Sequence, residues 1–159
     1  MSRCIFPVLA AFAVLLAATS HGYAGNEKPK AQATYVGSQT CRNCHSEEYE
    51  RFEKYSKKTH SYTDVLLLKK GLTEQEYQNC LECHTTGYGK PGGFRSARET
   101  PRLEQVGCEA CHGPGSIHVQ TSDPKDIRKV LSTKTCESCH NPERVKAFRF
   151  RPMLYGGAH

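Results

Sequence analysis

Four times along this chain, two cysteines stand three positions apart with a histidine directly behind the second. The copies are C-R-N-C-H at 41–45, C-L-E-C-H at 80–84, C-E-A-C-H at 108–112 and C-E-S-C-H at 136–140. C-x-x-C-H is the spacing of c-type haem attachment. Two cysteines so placed can form thioethers with the two vinyl groups on one haem edge. The adjacent histidine is then delivered beneath the iron as its proximal ligand. Four C-x-x-C pairs are also compatible with two four-cysteine zinc sites or with disulfides, but neither requires a histidine behind every second cysteine. The expected cofactors are therefore four covalently bound haem c groups. Cys41, Cys44, Cys80, Cys83, Cys108, Cys111, Cys136 and Cys139 would hold the porphyrins, and His45, His84, His112 and His140 would be the proximal ligands.

Composition supports this reading. Arg3 followed by the apolar run CIFPVLAAFAVLLAA and then SHGYA resembles a secretion signal, with cleavage expected after Ala24. The run is short for a membrane anchor, the competing reading. Removing 24 of the 159 residues leaves 135, with eight of the nine cysteines and a net charge of +5, because Arg3 departs from the +6 of the whole chain. Residues 25–34 are expected to be a flexible N-terminus, and 35–159 a tetrahaem domain. Export places the protein in the periplasm, with the cell surface as a variant. No second apolar stretch follows, so the mature chain is not expected to span a membrane. Its basic residues are spread out, without the clustered arm or aromatic platform of a nucleic-acid binder. The chain has no tryptophan, and only 37% of its residues are hydrophobic. Such a chain struggles to build an aliphatic core. The expected fold is mainly α with long loops, the haems forming the core of a multihaem cytochrome c.

Local signals place the motifs. SEEYERFEKYSKK, from Ser46 to Lys58, reads as a helix. Thr73 to Glu76 is a capping box opening a helix into Cys80. Gly87 to Arg98 reads as loop; its glycines lack the G-K-[ST] and preceding strand of a phosphate loop. Asp123-Pro124 is expected to cap a helix through Leu131. Asn141-Pro142 should start another from Glu143 to Phe148. No strand pattern is convincing. The motifs recur at intervals of 39, 28 and 28 residues without repetition between them, which argues against a solenoid.

Histidine arithmetic adds a constraint. Four haem irons offer eight axial positions, and the chain after Ala24 has seven histidines. Beyond the four proximal ones stand His60, His118 and His159. At most three haems can therefore take two histidines from this chain. The remaining iron is open, water-bound or ligated by another group, with Met153 a candidate. His118 follows His112 by six residues, a span of roughly 20 Å when extended. A glycine-proline-glycine turn at 113–115 begins that span. Serving a neighbouring haem is easier than circling its own.

The combined pattern resembles the cytochrome c-554 family. The matching stretches are YVGSQTCRNCH from Tyr35, KKTH ending at His60, CLECHTTGYGKPGGF from Cys80, QVGCEACHGPGSIH from Gln105, and CESCH from Cys136. They extend over Tyr35 to His140. The resemblance implies a mostly helical protein with haems in close pairs. It implies that His118 lies opposite His45 on the first haem and His60 opposite His140 on the fourth. A histidine after the last motif, here His159, would lie opposite His112 on the third. The second haem, under His84, would be five-coordinate.

The function expected is electron transport between periplasmic or membrane redox partner proteins, not catalysis. Lys54, Lys57, Lys58, Lys69 and Lys70 are candidate contact residues. Two alternatives stand beside it. One is reduction of a small molecule such as nitric oxide at the haem under His84. The other is self-association as a subunit of an extracellular haem filament.

Overall fold

The computed structural model describes residues 31–144 together with 149 and 151. The expected signal peptide, most of the expected flexible N-terminus, His159 and Met153 lie outside the described residues. Those described form seven α-helices, linked by 3-10 turns and long loops, with no strand among them. The helices are α1 (Ser38–Cys41), α2 (Ser46–Tyr55), α3 (Ser61–Leu68), α4 (Glu74–His84), α5 (Cys108–His112), α6 (Ser116–Thr121) and α7 (Thr133–Glu137).

Helix α2 forms where its charge pattern predicts. Glu47 and Glu48 occupy its first turn and Lys54 its last, opposing the helix dipole correctly at both ends. Arg51 pairs with Glu47 at 3.3 Å across one turn. Only Phe52 is buried. The helix ends at Ser56, whose backbone turns extended and whose hydroxyl accepts the Lys58 amide. The expected continuation to Lys58 becomes a 3-10 turn over Lys57–His60. Helix α4 is the best-specified element. Thr73 Oγ1 accepts the Glu76 amide while the Glu76 carboxylate accepts the Thr73 amide at 2.8 Å, a complete capping box. The helix runs on through C-L-E-C-H and stops at Thr85, which is extended.

Helices α3 and α4 pack together through Tyr62 and Val65 on one and Tyr77 and Leu81 on the other, each pair at helical spacing. Phe94 and Leu103 from the long loop complete the cluster. The Tyr62 and Phe94 rings meet edge to face at 5.3 Å, and the Tyr62 and Tyr77 hydroxyls are 3.2 Å apart. Burial and this hydroxyl pair push the Tyr62 phenol up to about 12. Among the described residues seven hydrophobic side chains are buried, of which Val65, Leu81 and Leu103 are aliphatic. Three buried aliphatic side chains make a small core for a chain of this length.

The loop after α4 is organised around buried Thr86. Its amide donates to the Leu103 carbonyl, its carbonyl accepts from Phe94, and its hydroxyl bridges the Gln105 carbonyl and the Gly107 amide. Residues 87–98 remain loop, as expected.

The helix expected from Asp123 to Leu131 does not form. A single 3-10 turn, Pro124–Asp126, follows the Asp123 cap, and Ile127 is extended. The backbone bonds that would extend the helix are committed elsewhere. Arg128 donates its amide to the His112 carbonyl and accepts from His112 Nδ1 with its own carbonyl. Local capping chemistry is overridden by a tie to the third motif. Of the helix expected over Glu143–Phe148, the described part is a turn in which Asn141 Oδ1 accepts the Arg144 amide; the rest lies outside the described residues.

Candidate haem-binding centre

The first and third motifs lie side by side. Helix α1 carries Cys41 at its end, and the His45 amide donates to the Cys41 carbonyl at 2.9 Å. Helix α5 spans the third motif, and its first amide, on Cys108, donates to Ser38 Oγ at 3.0 Å. Cys41 and Cys108 share a hydrogen bond between thiols of different motifs. That bond, with burial, pushes Cys41 up, while the same bond pulls Cys108 down against its own burial. Two haem edges attached here would be neighbours.

After α5 the chain reverses. Gly113 adopts φ +82°, ψ 175°, a backbone region that essentially only glycine occupies. Gly115 then caps α6. This turn brings His118 beside His45, with ring centroids 6.3 Å apart and planes 27° from parallel. Two histidines that are 73 residues apart in sequence are thus brought together.

Three ring orientations are fixed by the backbone. His84 Nδ1 donates to the Ser61 carbonyl at 2.9 Å, His112 Nδ1 to Arg128 at 2.7 Å and His118 Nδ1 to Asp123 at 2.9 Å. A carbonyl only accepts, so in each ring the proton sits on Nδ1, the tautomer in which Nε2 is the metal-binding nitrogen. Arg128 also donates from its guanidinium to the Cys111 carbonyl at 2.8 Å, clamping the same motif from a second side.

The second and fourth motifs form another neighbourhood. Cys83 Sγ lies 3.9 Å from the Ser138 carbonyl. Its thiol is pushed up by burial and by Cys139. His140 is held near Cys136 by a 2.8 Å backbone bond, and its ring is pulled down by burial and by the Lys58 charge. Burial pushes the Cys111 and Cys136 thiols up, and the Lys58 charge offsets part of that rise in both. His60 is exposed at the end of the 57–60 turn. Its chain neighbours reach two motifs: Lys58 acts on the fourth, and Ser61 holds His84 through its carbonyl and hydroxyl.

All eight motif cysteines are free thiols. Among the described residues no three Cys, His, Asp or Glu side chains converge as a metal-ion site, so the thiols do not form a four-cysteine cluster. The donor set suits haem c: paired thiols for one porphyrin edge and a histidine beside each pair.

One buried group escapes sequence reasoning. Glu109, inside C-E-A-C-H, is 2% exposed. Its carboxylate accepts from the amides of Val36 at 3.0 Å, Gly37 at 2.7 Å and Gly115 at 2.8 Å. Glutamate also occupies the second and fourth motifs at positions 82 and 137, where it is exposed. No local signal separates the three.

A helical chain without strands, carrying four C-x-x-C-H motifs and an opposed histidine pair, defines the class of multihaem c-type cytochromes. Residues 40–113 match the family model described as cytochrome c554 and c-prime. Cytochrome c-554 of Nitrosomonas europaea is 28% identical over 156 residues, a match covering 79% of this chain and 66% of that protein. This chain therefore spans about two thirds of the length of that relative. The solved structure of reduced cytochrome c554 from the same organism superposes with a TM-score of 0.59. It shares 20% identity and covers 81% of this chain and 86% of that one. An 83-residue stretch is also 31% identical to the chaperone protein DnaJ of Lactiplantibacillus plantarum, over 52% of this chain and 18% of the chaperone. That short overlap says nothing of the fold. The chain is thus similar to the cytochrome c554 family over residues 40–113 and shares the fold of the solved cytochrome c554.

Proposed function

We propose that this chain is an exported tetrahaem electron carrier of the periplasm, with residues 35–159 as the haem domain and the first 24 removed on secretion. The observation that carries the reading is the His45–His118 pair, with ring centroids 6.3 Å apart, a separation that leaves room for one iron between them. It is supported by three histidines whose Nδ1 atoms are held by backbone carbonyls, and by the adjacency of the first motif to the third and the second to the fourth. Such adjacency sets haems in pairs, close enough for electrons to pass between them. Each haem supplies a one-electron ferric–ferrous couple. The protein's part is attachment, ligand orientation and exclusion of water. No helix among the described residues is long and apolar enough to cross a membrane, which fits a carrier exchanging electrons with separate partner proteins.

Histidine number favours a second activity at one site. Seven histidines for eight axial positions leave one iron short of a histidine, and the resemblance to the cytochrome c-554 family points to the haem under His84, where a small molecule such as nitric oxide would bind. His84 is oriented by the Ser61 carbonyl on its Nδ1 side.

The test is a count. Pyridine haemochrome analysis of the purified exported protein should give four haems per chain. Electron paramagnetic resonance should give three low-spin centres and one high-spin centre. Fewer than four haems defeats the tetrahaem reading, and an entirely low-spin spectrum defeats the open site. A His159→Ala variant that leaves the spectrum unchanged removes His159 from the third haem. Concentration-independent monomeric elution with intact ligation excludes the filament.

A further inference from the structure

We propose that Glu109 positions the His45–His118 ligand pair and sets, through its buried negative charge, the reduction potential of the haem between those histidines. The inference rests on the reading of His45 and His118 as ligands of the first haem.

Carboxylates are almost never fully buried unless paired, because losing water costs an ion several kcal/mol. Glu109 is buried in full, yet none of the ion pairs among the described residues includes it. Its partners are backbone amides: Val36, Gly37 and Gly115. Three N–H groups directed at one carboxylate match a group whose oxygens only accept.

The segments that supply those amides matter more than their number. Gly37 caps α1, which leads through Cys41 to His45. Gly115 caps α6, which carries His118 on its third residue. Glu109 itself stands between Cys108 and Cys111. One carboxylate therefore ties together the attachment helix of the third haem and the starts of both segments that end in the first haem's ligands. Space around it is tight: a Cβ on Gly115 would lie 3.3 Å from Glu109 Oε1. The two faces of the first haem would come from distant parts of the chain, and Glu109 bonds to both parts, beside the direct Thr34–Ser116 pair of bonds.

A fixed negative charge also favours the ferric iron over the ferrous, the more positive form over the less. Glu109 lies close enough to the Cys41 and Cys108 thiols to act on both electrostatically. In a site without water, a unit charge at haem distance is expected to move a one-electron equilibrium by about tenfold, equal to ~59 mV.

The experiment uses the haem-loaded exported protein as wild type, E109Q, E109D, E109A and H118A. Haem number, low-spin and high-spin resonance, and the spectroelectrochemical titration are recorded for each. Glu109→Gln keeps the shape and loses the charge. It should keep four haems and shift one low-spin haem toward the reduced form by about tenfold. Glu109→Asp keeps the charge and should restore the wild-type titration more closely than E109Q does. Glu109→Ala should convert one low-spin centre to high-spin, the same centre that H118A converts, and the double variant should convert no more. Should E109A fail to accumulate, E109Q and E109D decide. Unchanged potentials in E109Q overturn the electrostatic role, and an unchanged spin count in E109A overturns the positioning role. If H118A itself leaves the low-spin count unaltered, the ligand assignment is wrong and this inference falls with it.

Discussion

The third and fourth motifs begin alike, C-E-A-C-H and C-E-S-C-H, and their glutamates have opposite fates. Glu109 is buried under three backbone amides from two segments; Glu137 is exposed in α7. The third motif is one continuous helix with the Gly113–Gly115 turn behind it, and that turn delivers His118 to His45. The fourth motif starts inside α7 and leaves it before Ser138, and an Asn141-Pro142 turn follows. The difference shows that C-x-x-C-H specifies how a haem is attached and nothing about how the attachment point is held. That second property lies in the x residues and in the chain they meet.

The comparison breaks most visibly when the cysteines are removed. Replacing Cys108 and Cys111 by alanine should remove the third haem and also turn the first haem high-spin, because α5 anchors the segments carrying both its ligands. Replacing Cys136 and Cys139 should remove one haem and leave the His45–His118 signal intact. Haemochrome counting with spin-state spectroscopy distinguishes these results. A smaller effect separates the glutamates themselves. E109A leaves three buried amides without an acceptor, at about 1–3 kcal/mol each before relaxation, so a net loss of about 3–5 kcal/mol is expected. E137A should change stability by less than about 0.5 kcal/mol. Denaturant titration of both variants checks the contrast, and equal losses would mean that burial of Glu109 counts for little.

The fold and the site differ in how far they can be read without a structure. The four motifs, the acid-to-base gradient of α2 and the Thr73–Glu76 box are local patterns, and each appears where the sequence places it. The placement of His118 opposite His45 enters through family likeness, not through spacing, because nothing local links positions 45 and 118. Glu109 could not be picked out from Glu82 and Glu137, since its burial depends on amides 72 and 73 residues away and on Gly115. Local logic misleads at Asp123-Pro124, which makes its cap and one turn before Arg128 is drawn to His112. Helix α3 was missed because its pattern is poor: Tyr62 and Val65 point inward, while Leu66, Leu67 and Leu68 stay exposed in the polypeptide.

Backbone strain sharpens the contrast at a finer scale. Gly113 has φ +82° with open space where a Cβ would stand, so G113A tests conformation alone and should cost about 1–3 kcal/mol. Gly37 has φ +87°, and its Cβ would approach Arg102 Cβ to 2.9 Å, so G37A should cost more than G113A. Both should disturb the His45–His118 signal, since the two glycines flank segments held by Glu109. Neither should affect the haem at the fourth motif, which has no equivalent turn.

The smallest effect comes from a carboxylate that makes similar bonds without burial. Glu76 accepts from the Thr73 amide and hydroxyl, each at 2.8 Å, and the group is exposed. The backbone bond first, and the hydroxyl second, hold its carboxyl below the usual range. A carboxylate with a depressed folded-state pKa contributes stability above its unfolded value of about 4.3, and that contribution fades as pH falls through the folded value. Lowering the pH from 6 toward 3 should therefore loosen the start of α4 in the wild type. In E76Q that pH dependence should be absent, with the two proteins converging at low pH. Hydrogen exchange of the α4 amides, followed across this range, reads the effect directly.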